Sequence, residues 1–282
     1  MKTAPRSGGE QGSFRGLGSV RKCLQLVEIL AFHGEPVRLS DLARQLETAP
    51  SSMHQRLVTL VEARWAEQTP DGRYRLSQRL AILGMAALDQ VNLGSTLRLH
   101  MHELAQRTQE GVDLSVLDGC SAVVVQQIES SEALRAQLSI GRRLPLARSA
   151  AGNVLVAYAA PHVLSRLRLG GVELPEDSRL EQIRNLGAAI VMDDFVPSIS
   201  AASAPIFDAD GHAAAALSLT VPTCRFDPSH AISEVLATTR EVNAGLNLRH
   251  GHEQLHSFVR GKAVSRGRPQ ARRYAGGEEA TA

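Results

Sequence analysis

The chain has 282 residues, 43% of them hydrophobic and 21% charged, a composition that excludes a wholly disordered or fibrous protein. At about 150 residues per domain the length fits two domains. The formal net charge of +2 is a cancellation: residues 1–80 carry +4, residues 81–258 carry −6 and residues 259–282 carry +4. Two basic ends around an acidic middle point to a nucleic-acid partner for the ends alone. No apolar run approaches the roughly 20 residues of a membrane span. The polar, Gly-rich start lacks the apolar stretch of a secretory signal, so a cytosolic protein without a membrane partner is expected. Cys23, Cys120 and Cys224 lie far apart in sequence, which suits free reduced thiols better than a disulfide framework or a zinc site.

Residues 1–16 read as a disordered arm. From Ser19 the pattern is helical, with Val20, Leu24, Val27 and Leu30 on one face and Gly34 as a stop. Ser40 stands at a cap position before a second, shorter helix that carries Leu42, Ala43 and Leu46 on one side. In the third helix Met53, Leu57, Leu60 and Val61 form one apolar stripe. At about 100° per residue the opposite face carries Ser51, Ser52, Gln55, Thr59 and Glu62, flanked by His54 and Arg56. Residues 66–77 then read as a hairpin around Pro70-Asp71-Gly72.

Residues 79–94 form a linker helix that breaks at Asn92-Leu93-Gly94, and Ser95 caps the next helix. With Leu76, Leu80, Leu83 and Leu88, the first of these helices is apolar on too many sides to lie bare in water. It is expected to pack on a second copy of the chain. After Gly111 the period shortens to that of strands, over residues 112–117, 122–128, 134–140 and 141–146. A helix over residues 149–160 is ended by Pro161, and another runs from Ser178 to Leu186. Strands over 188–191, 200–207 and 213–221 follow, the last two joined by a turn at Asp208–Gly211. An amphipathic helix closes the pattern from Pro228 to Leu248. The fold class is α+β: a winged helix-turn-helix over residues 17–78, the linker, and a domain over 95–250 with a largely antiparallel sheet. Residues 251–282 read as a basic, disordered tail.

Three helices and a hairpin in this order place the third helix in a DNA major groove, with the hairpin as a wing on the phosphates. Ser51 and Ser52, in the first turn, suit phosphate. Gln55 can pair with adenine, and Thr59 can offer a hydroxyl or a methyl to a base edge. Arg73 and Arg75 flank the hairpin turn and are expected on phosphate. Arg260, Lys262, Arg266, Arg268, Arg272 and Arg273 in the tail either add nonspecific DNA affinity or merely solubilise it. A second reading makes the chain a small-molecule-binding α+β protein whose N-terminal helices make protein contacts. An enzyme is not expected, because no GxSxG, HExxH, CxxC or P-loop pattern is present. His100 with His102, and His252 with His256, lack the cysteine or carboxylate company of a metal site, so no metal or cofactor is expected.

The ordered series GSVRKCLQLVEIL, LSDLARQL, SSMHQRLVTLVEARW, PDGRYRLSQRLAILG, VLDGCSAVVVQQIES, GRRLPL and APIFDADGHAAAALSLT resembles the isocitrate-lyase-regulator (IclR) family of bacterial transcription regulators over about residues 17–248. The resemblance implies a winged helix-turn-helix, a dimerising linker helix and a GAF-like domain that binds a small metabolite. It also implies homodimers, often paired into tetramers, on double-stranded operator DNA. Recognition-helix positions of the family fall on Ser51, Ser52, His54, Gln55 and Thr59. Effector-pocket positions fall near Ala136, Leu144, Ser149, Ala150, Ala151, Val191, Ala201, Ser218 and Thr220. The chain departs from the family pattern at several of them. An acidic pair is replaced by Val191-Met192, an Arg-Cys pair by Ser200-Ala201, a His by Ala147 and a Gly-Lys by Gly152-Asn153. Asp193 and Asp194 restore an acid only if the alignment slips by two residues. These replacements leave mainly Ser149, Ser218 and Thr220 to hydrogen-bond a ligand, so a larger or more apolar organic effector is expected, such as an aromatic acid.

Overall fold

The computed structural model describes residues 17–91, 93–136 and 138–264, with side chains only as far as Leu246 in the last helix. It divides into two compact units, one ending at Gln90 and one starting at Val91.

The first unit contains α1 (Gly18–Phe32), α2 (Leu39–Gln45), α3 (Pro50–Glu62), the hairpin strands β1 (Ala66–Gln68) and β2 (Tyr74–Leu76), and α4 (Arg79–Gln90). Its core gathers Met53, Leu57 and Leu60 of α3 with Leu42 and Ala43 of α2, Leu26 and Leu30 of α1, and Tyr74 of β2. The buried side of α1 differs from the expected stripe: Val20 and Leu24 are 50% and 53% exposed. Of that stripe Leu30 is buried and Val27 half-buried, and Leu26 joins them where α1 packs on its neighbours. Helix α2 begins one residue before Ser40, with Arg38 at the cap position and no side-chain cap. The chain arrives there in extended form, because Val37 exchanges both backbone hydrogen bonds with Tyr74 at 2.8 Å. The hairpin turns at Gly72, whose φ of +79° strains any other residue. No residue of α4 is buried.

The second unit opens with α5 (Ser95–Thr108). Gly94 holds its cap position, so Ser95 is the first helical residue and supplies no cap. Strands β3 (Gly111–Asp118), β4 (Ser121–Ile128), β5 (Arg143–Pro145), β6 (Ala189–Met192), β7 (Ile199–Phe207) and β8 (Ala213–Pro222) form one sheet in the order β5-β4-β3-β8-β7-β6. Every pairing is antiparallel. Helices α6 (Ala150–Ala157) and α8 (Asp177–Leu186) lie on one face, and α5 and α9 (Pro228–Val264) cover the other. A bulge interrupts the β3–β4 ladder: Leu114 opposes Gln126, whereas Ser115 opposes Val124. The extra residue, Val125, lies in β4, so β4 switches faces there while β3 keeps its alternation.

Pro161 does not end the helix expected over 149–160, which stops at Ala157; it opens α7 (Pro161–Leu169) at the first helical position, where its missing N–H costs nothing. Residues 134–140 form no strand among the described positions. Leu134 and Ile140 are exposed whereas Ala136 is buried, so apolar residues of the same parity do not share one buried side, and no described strand pairs with the segment. Helix α9 continues to Val264, past both Leu248 and the expected start of the tail at residue 251. The arm at residues 1–16, and the tail residues Arg266, Arg268, Arg272 and Arg273, lie outside the described residues. No single helix among the described residues is long and apolar enough to cross a membrane.

Candidate DNA interface and ligand cavity

Burial of Met53, Leu57 and Leu60 fixes the rotation of α3 and turns Ser51, His54, Gln55 and Thr59 to the surface, with Ser52 half-buried. The helix starts at Pro50 without a side-chain cap, so no side chain occupies the amides of its first turn. Two details go beyond the helical wheel. Thr59 donates its hydroxyl to the Gln55 carbonyl at 2.9 Å, so towards any further partner its oxygen can only accept. Arg56 instead donates to the Thr48 hydroxyl at 3.3 Å and braces the α2–α3 turn. On the hairpin, Arg73 pairs with Asp71 at 2.9 Å and Arg75 with Glu67 at 2.6 Å. The hairpin thus carries two cations already matched by two carboxylates, which the sequence reading did not anticipate.

In the second unit a cavity opens between the sheet and the N-terminus of α6. The cavity itself measures about 50 Å³ and opens into solvent. Leu144, Ser149, Ala150, Ala151, Val191, Ala201, Ser218 and Thr220 line it together. Ala136 is buried but is not part of this wall. Gly152 sits where an added Cβ would meet the Leu146 Cα at 2.6 Å, so α6 approaches the preceding turn more closely than any side chain allows. Asn153 ties the same turn down, donating to the carbonyls of Leu146 and Ala147 at 3.0 and 2.8 Å.

The polar chemistry differs from the expectation. Ser149 donates to the Pro145 carbonyl at 2.7 Å and accepts from the Gly152 amide at 3.0 Å, so its hydroxyl serves as the cap of α6. Ser218 donates to Ser203 at 3.0 Å, and Thr220 donates to Asp113 at 2.7 Å. All three protons on which a ligand was expected to rely are held inside the protein. Asp193 and Asp194 do not line the cavity; Asp193 accepts from the Ser198 amide in a turn, and Asp194 pairs with Arg148 at 2.7 Å.

The acid is Asp113 of β3, which sequence reasoning missed. With Ser115 it lines the cavity, as do Leu138, Arg148, Phe195, Val196 and Ile199. Burial pushes the Asp113 carboxyl up to about 7, and the Thr220 hydroxyl pulls the other way. The signal was available: two polar residues at i and i+2 in an apolar strand share one face. Among the described residues no three His, Cys, Asp or Glu side chains cluster as a metal site requires. His100 faces Glu103 and Glu241 at 3.5 and 3.9 Å, and the side chains of His252 and His256 lie outside the described residues.

A helix-turn-helix joined to an α+β domain with a largely apolar cavity at the head of α6 defines a class: transcription regulators with a C-terminal effector-binding domain. The IclR helix-turn-helix domain matches residues 19–70, and the bacterial transcriptional regulator IclR C-terminal domain matches residues 85–245. The chain belongs to the IclR family. It is 28% identical to the HTH-type transcriptional regulator XynR of Escherichia coli over 245 residues, covering 82% of this chain and 95% of that one. It is 26% identical to the transcriptional repressor IclR of the same organism over 241 residues, covering 80% and 85%. The crystal structure of Pseudomonas aeruginosa HmgR aligns with a TM-score of 0.69 at 28% identity, over 80% of this chain and 98% of that one. An IclR homolog from Microbacterium hydrocarbonoxydans, crystallised with 4-hydroxybenzoate, shares the fold with a TM-score of 0.70 at 20% identity, over 82% and 99%.

Proposed function

We propose that the chain binds double-stranded operator DNA as a homodimer, able to pair further into a tetramer, and that a small organic effector in the second-unit cavity changes its DNA affinity. The observation that carries the DNA reading is the rotation of α3, which exposes Ser51, His54, Gln55 and Thr59 while burying the opposite stripe. In this reading Gln55 and Thr59 read base edges and Ser51 and Ser52 hold phosphate. Arg73 and Arg75 exchange their carboxylate partners for the DNA backbone.

Ile82, Leu83 and Met85 of α4 are exposed at 63%, 41% and 59%, which supports a second copy of the chain on the linker helix. The apolar cavity wall supports an aromatic acid or similar catabolic intermediate as effector, and a catabolic operon as target. A fold relative bound to 4-hydroxybenzoate is in keeping with that class. The effector favours one arrangement of the dimer and so changes the spacing of the two recognition helices. The protein works in the cytosol and carries out no catalysis.

Selection of binding sites from random DNA, with and without a metabolite library, tests the proposal. The expected result is one enriched, two-fold-related site whose recovery changes with a metabolite. No enrichment over random sequence would favour protein contacts by the N-terminal helices instead.

A further inference from the structure

The floor of the cavity has more hydrogen-bonding capacity than the protein fills. Asp113 Oδ2 accepts from Thr220 at 2.7 Å, whereas Asp113 Oδ1 is buried without a partner. Two residues along β3, the Ser115 hydroxyl is also buried without a partner. Their relative exposures are 2% and 0%, and both side chains line the cavity. Buried polar atoms are rarely left unpaired, because the hydration lost on folding is then not returned. Ser149, Ser218 and Thr220 cannot help, since each already donates within the protein. The remaining charged group of the wall is Arg148, and its guanidinium is held by the Asp194 side chain and carbonyl at 2.8 and 2.7 Å. Above the floor the wall is apolar, with Leu138, Leu144, Val191 and Phe195 among its residues.

We infer that Asp113 Oδ1 and the Ser115 hydroxyl form the recognition end of this cavity, and that they take a ligand whose buried end is a hydroxyl group on an apolar or aromatic body. The inference rests on the reading of the cavity as the effector site. A hydroxyl is singled out because it both gives and takes a proton. It donates to Asp113 when the carboxyl is ionised and accepts from it when the carboxyl is protonated, and Ser115 complements it either way. A ligand carboxylate meets like charge in the first state, and an ammonium finds no counter-charge in the second. A methyl group leaves both protein atoms unpaired. Burial brings the Asp113 carboxyl to about 7, so both states are populated near neutral pH, and the group that serves both binds without a proton penalty.

Titration calorimetry on the full chain with 4-methylbenzoate, 3- and 4-hydroxybenzoate and benzene-1,4-dicarboxylate tests this. The expected result is that one hydroxybenzoate binds about tenfold or more tightly than the methyl analogue, as a site built to pair a hydroxyl rejects its absence. That preference is expected to vanish in Asp113→Leu, which keeps the branched shape, and to shrink in Ser115→Ala, the gentler variant should Asp113→Leu fail to fold. Equal binding of the methyl and hydroxy analogues overturns the inference alone and leaves the cavity as effector site. So does tightest binding of the dicarboxylate, or a hydroxyl preference that survives in Ser115→Ala and in folded Asp113→Leu. Absence of binding by every member of the series overturns the aromatic-effector reading together with the inference.

Discussion

Gln126 of β4 donates through Nε2 to the Leu93 carbonyl at 2.7 Å, fastening the segment before α5 to the sheet. Gln126 lies directly across from Leu114, the residue between Asp113 and Ser115, at the β3–β4 bulge. The cavity floor and the segment leading to the linker helix are therefore one strand residue apart, on opposite faces of the same sheet. Gln126→Met keeps the side-chain length and removes the tether. The expected outcome is unchanged effector affinity with a smaller effector-induced change in operator affinity, measured by calorimetry and by fluorescence anisotropy on labelled DNA.

The hairpin and the recognition helix are expected to fail differently. Gln55→Ala should cost about 1–3 kcal/mol on the cognate site and relax specificity at one base. Arg73→Ala should weaken specific and random DNA alike and flatten the salt dependence, by less than one full counter-ion because Asp71 already neutralises Arg73. Asp71→Asn should tighten binding to both DNAs. Equal losses on both DNAs for Gln55→Ala would count against base reading.

Asp113 predicts an unusual pH dependence of the ligand-free protein. Its carboxyl is raised from 3.8 to about 7 in the folded state. Between those values the folded chain holds a proton that the unfolded chain has released, so this group's contribution to stability falls as pH rises through that window. The contribution is level below and above it. Asp113→Asn removes the dependence while keeping an acceptor for Thr220. Its stability relative to wild type should therefore grow by on the order of 4 kcal/mol from pH 4 to pH 8, measured by urea unfolding at each pH. A constant difference across that range would refute this reading of Asp113.

Gly152→Ala places a methyl group 2.6 Å from the Leu146 Cα and 2.8 Å from its carbonyl oxygen. Backbone atoms cannot swing aside as a side-chain end can, so α6 must shift. The expected cost is roughly 1–3 kcal/mol of stability, seen as a lower melting temperature. Ligand binding should weaken as well, because Ser149, Ala150 and Ala151 at the start of α6 line the cavity.

Leu83→Glu on α4 should separate association from folding. No residue of α4 is buried within the chain, so the melting temperature of the isolated protomer should hardly change. Sedimentation should show the dimer dissociating at lower dilution than wild type, with operator affinity falling in step. Unchanged association would remove α4 from the interface.

Period and spacing by themselves determined much of this protein. The stripe Met53, Leu57, Leu60 is legible because a helix that buries one face must repeat apolar residues along it, and the same rotation defines the outward residues of α3. The hairpin at Gly72 and the turn at Asp208–Gly211 were legible because few residues tolerate those backbone angles. Tertiary structure decided what periodicity leaves degenerate. In helix α1 only the neighbours decided that Leu26 joins Leu30 in the core while Val20 and Leu24 stay exposed. The alternating spelling over residues 134–140 did not become a strand, because a strand also needs a partner strand, which lies elsewhere in the sequence, and Leu134 and Ile140 stay exposed. The cavity shows the same division most clearly. Sequence located the hydroxyls of Ser149, Ser218 and Thr220, but whether a hydroxyl is free depends on what folds beside it. Packing committed those three to Pro145, Ser203 and Asp113 and left Asp113 Oδ1 and the Ser115 hydroxyl unpaired at the cavity.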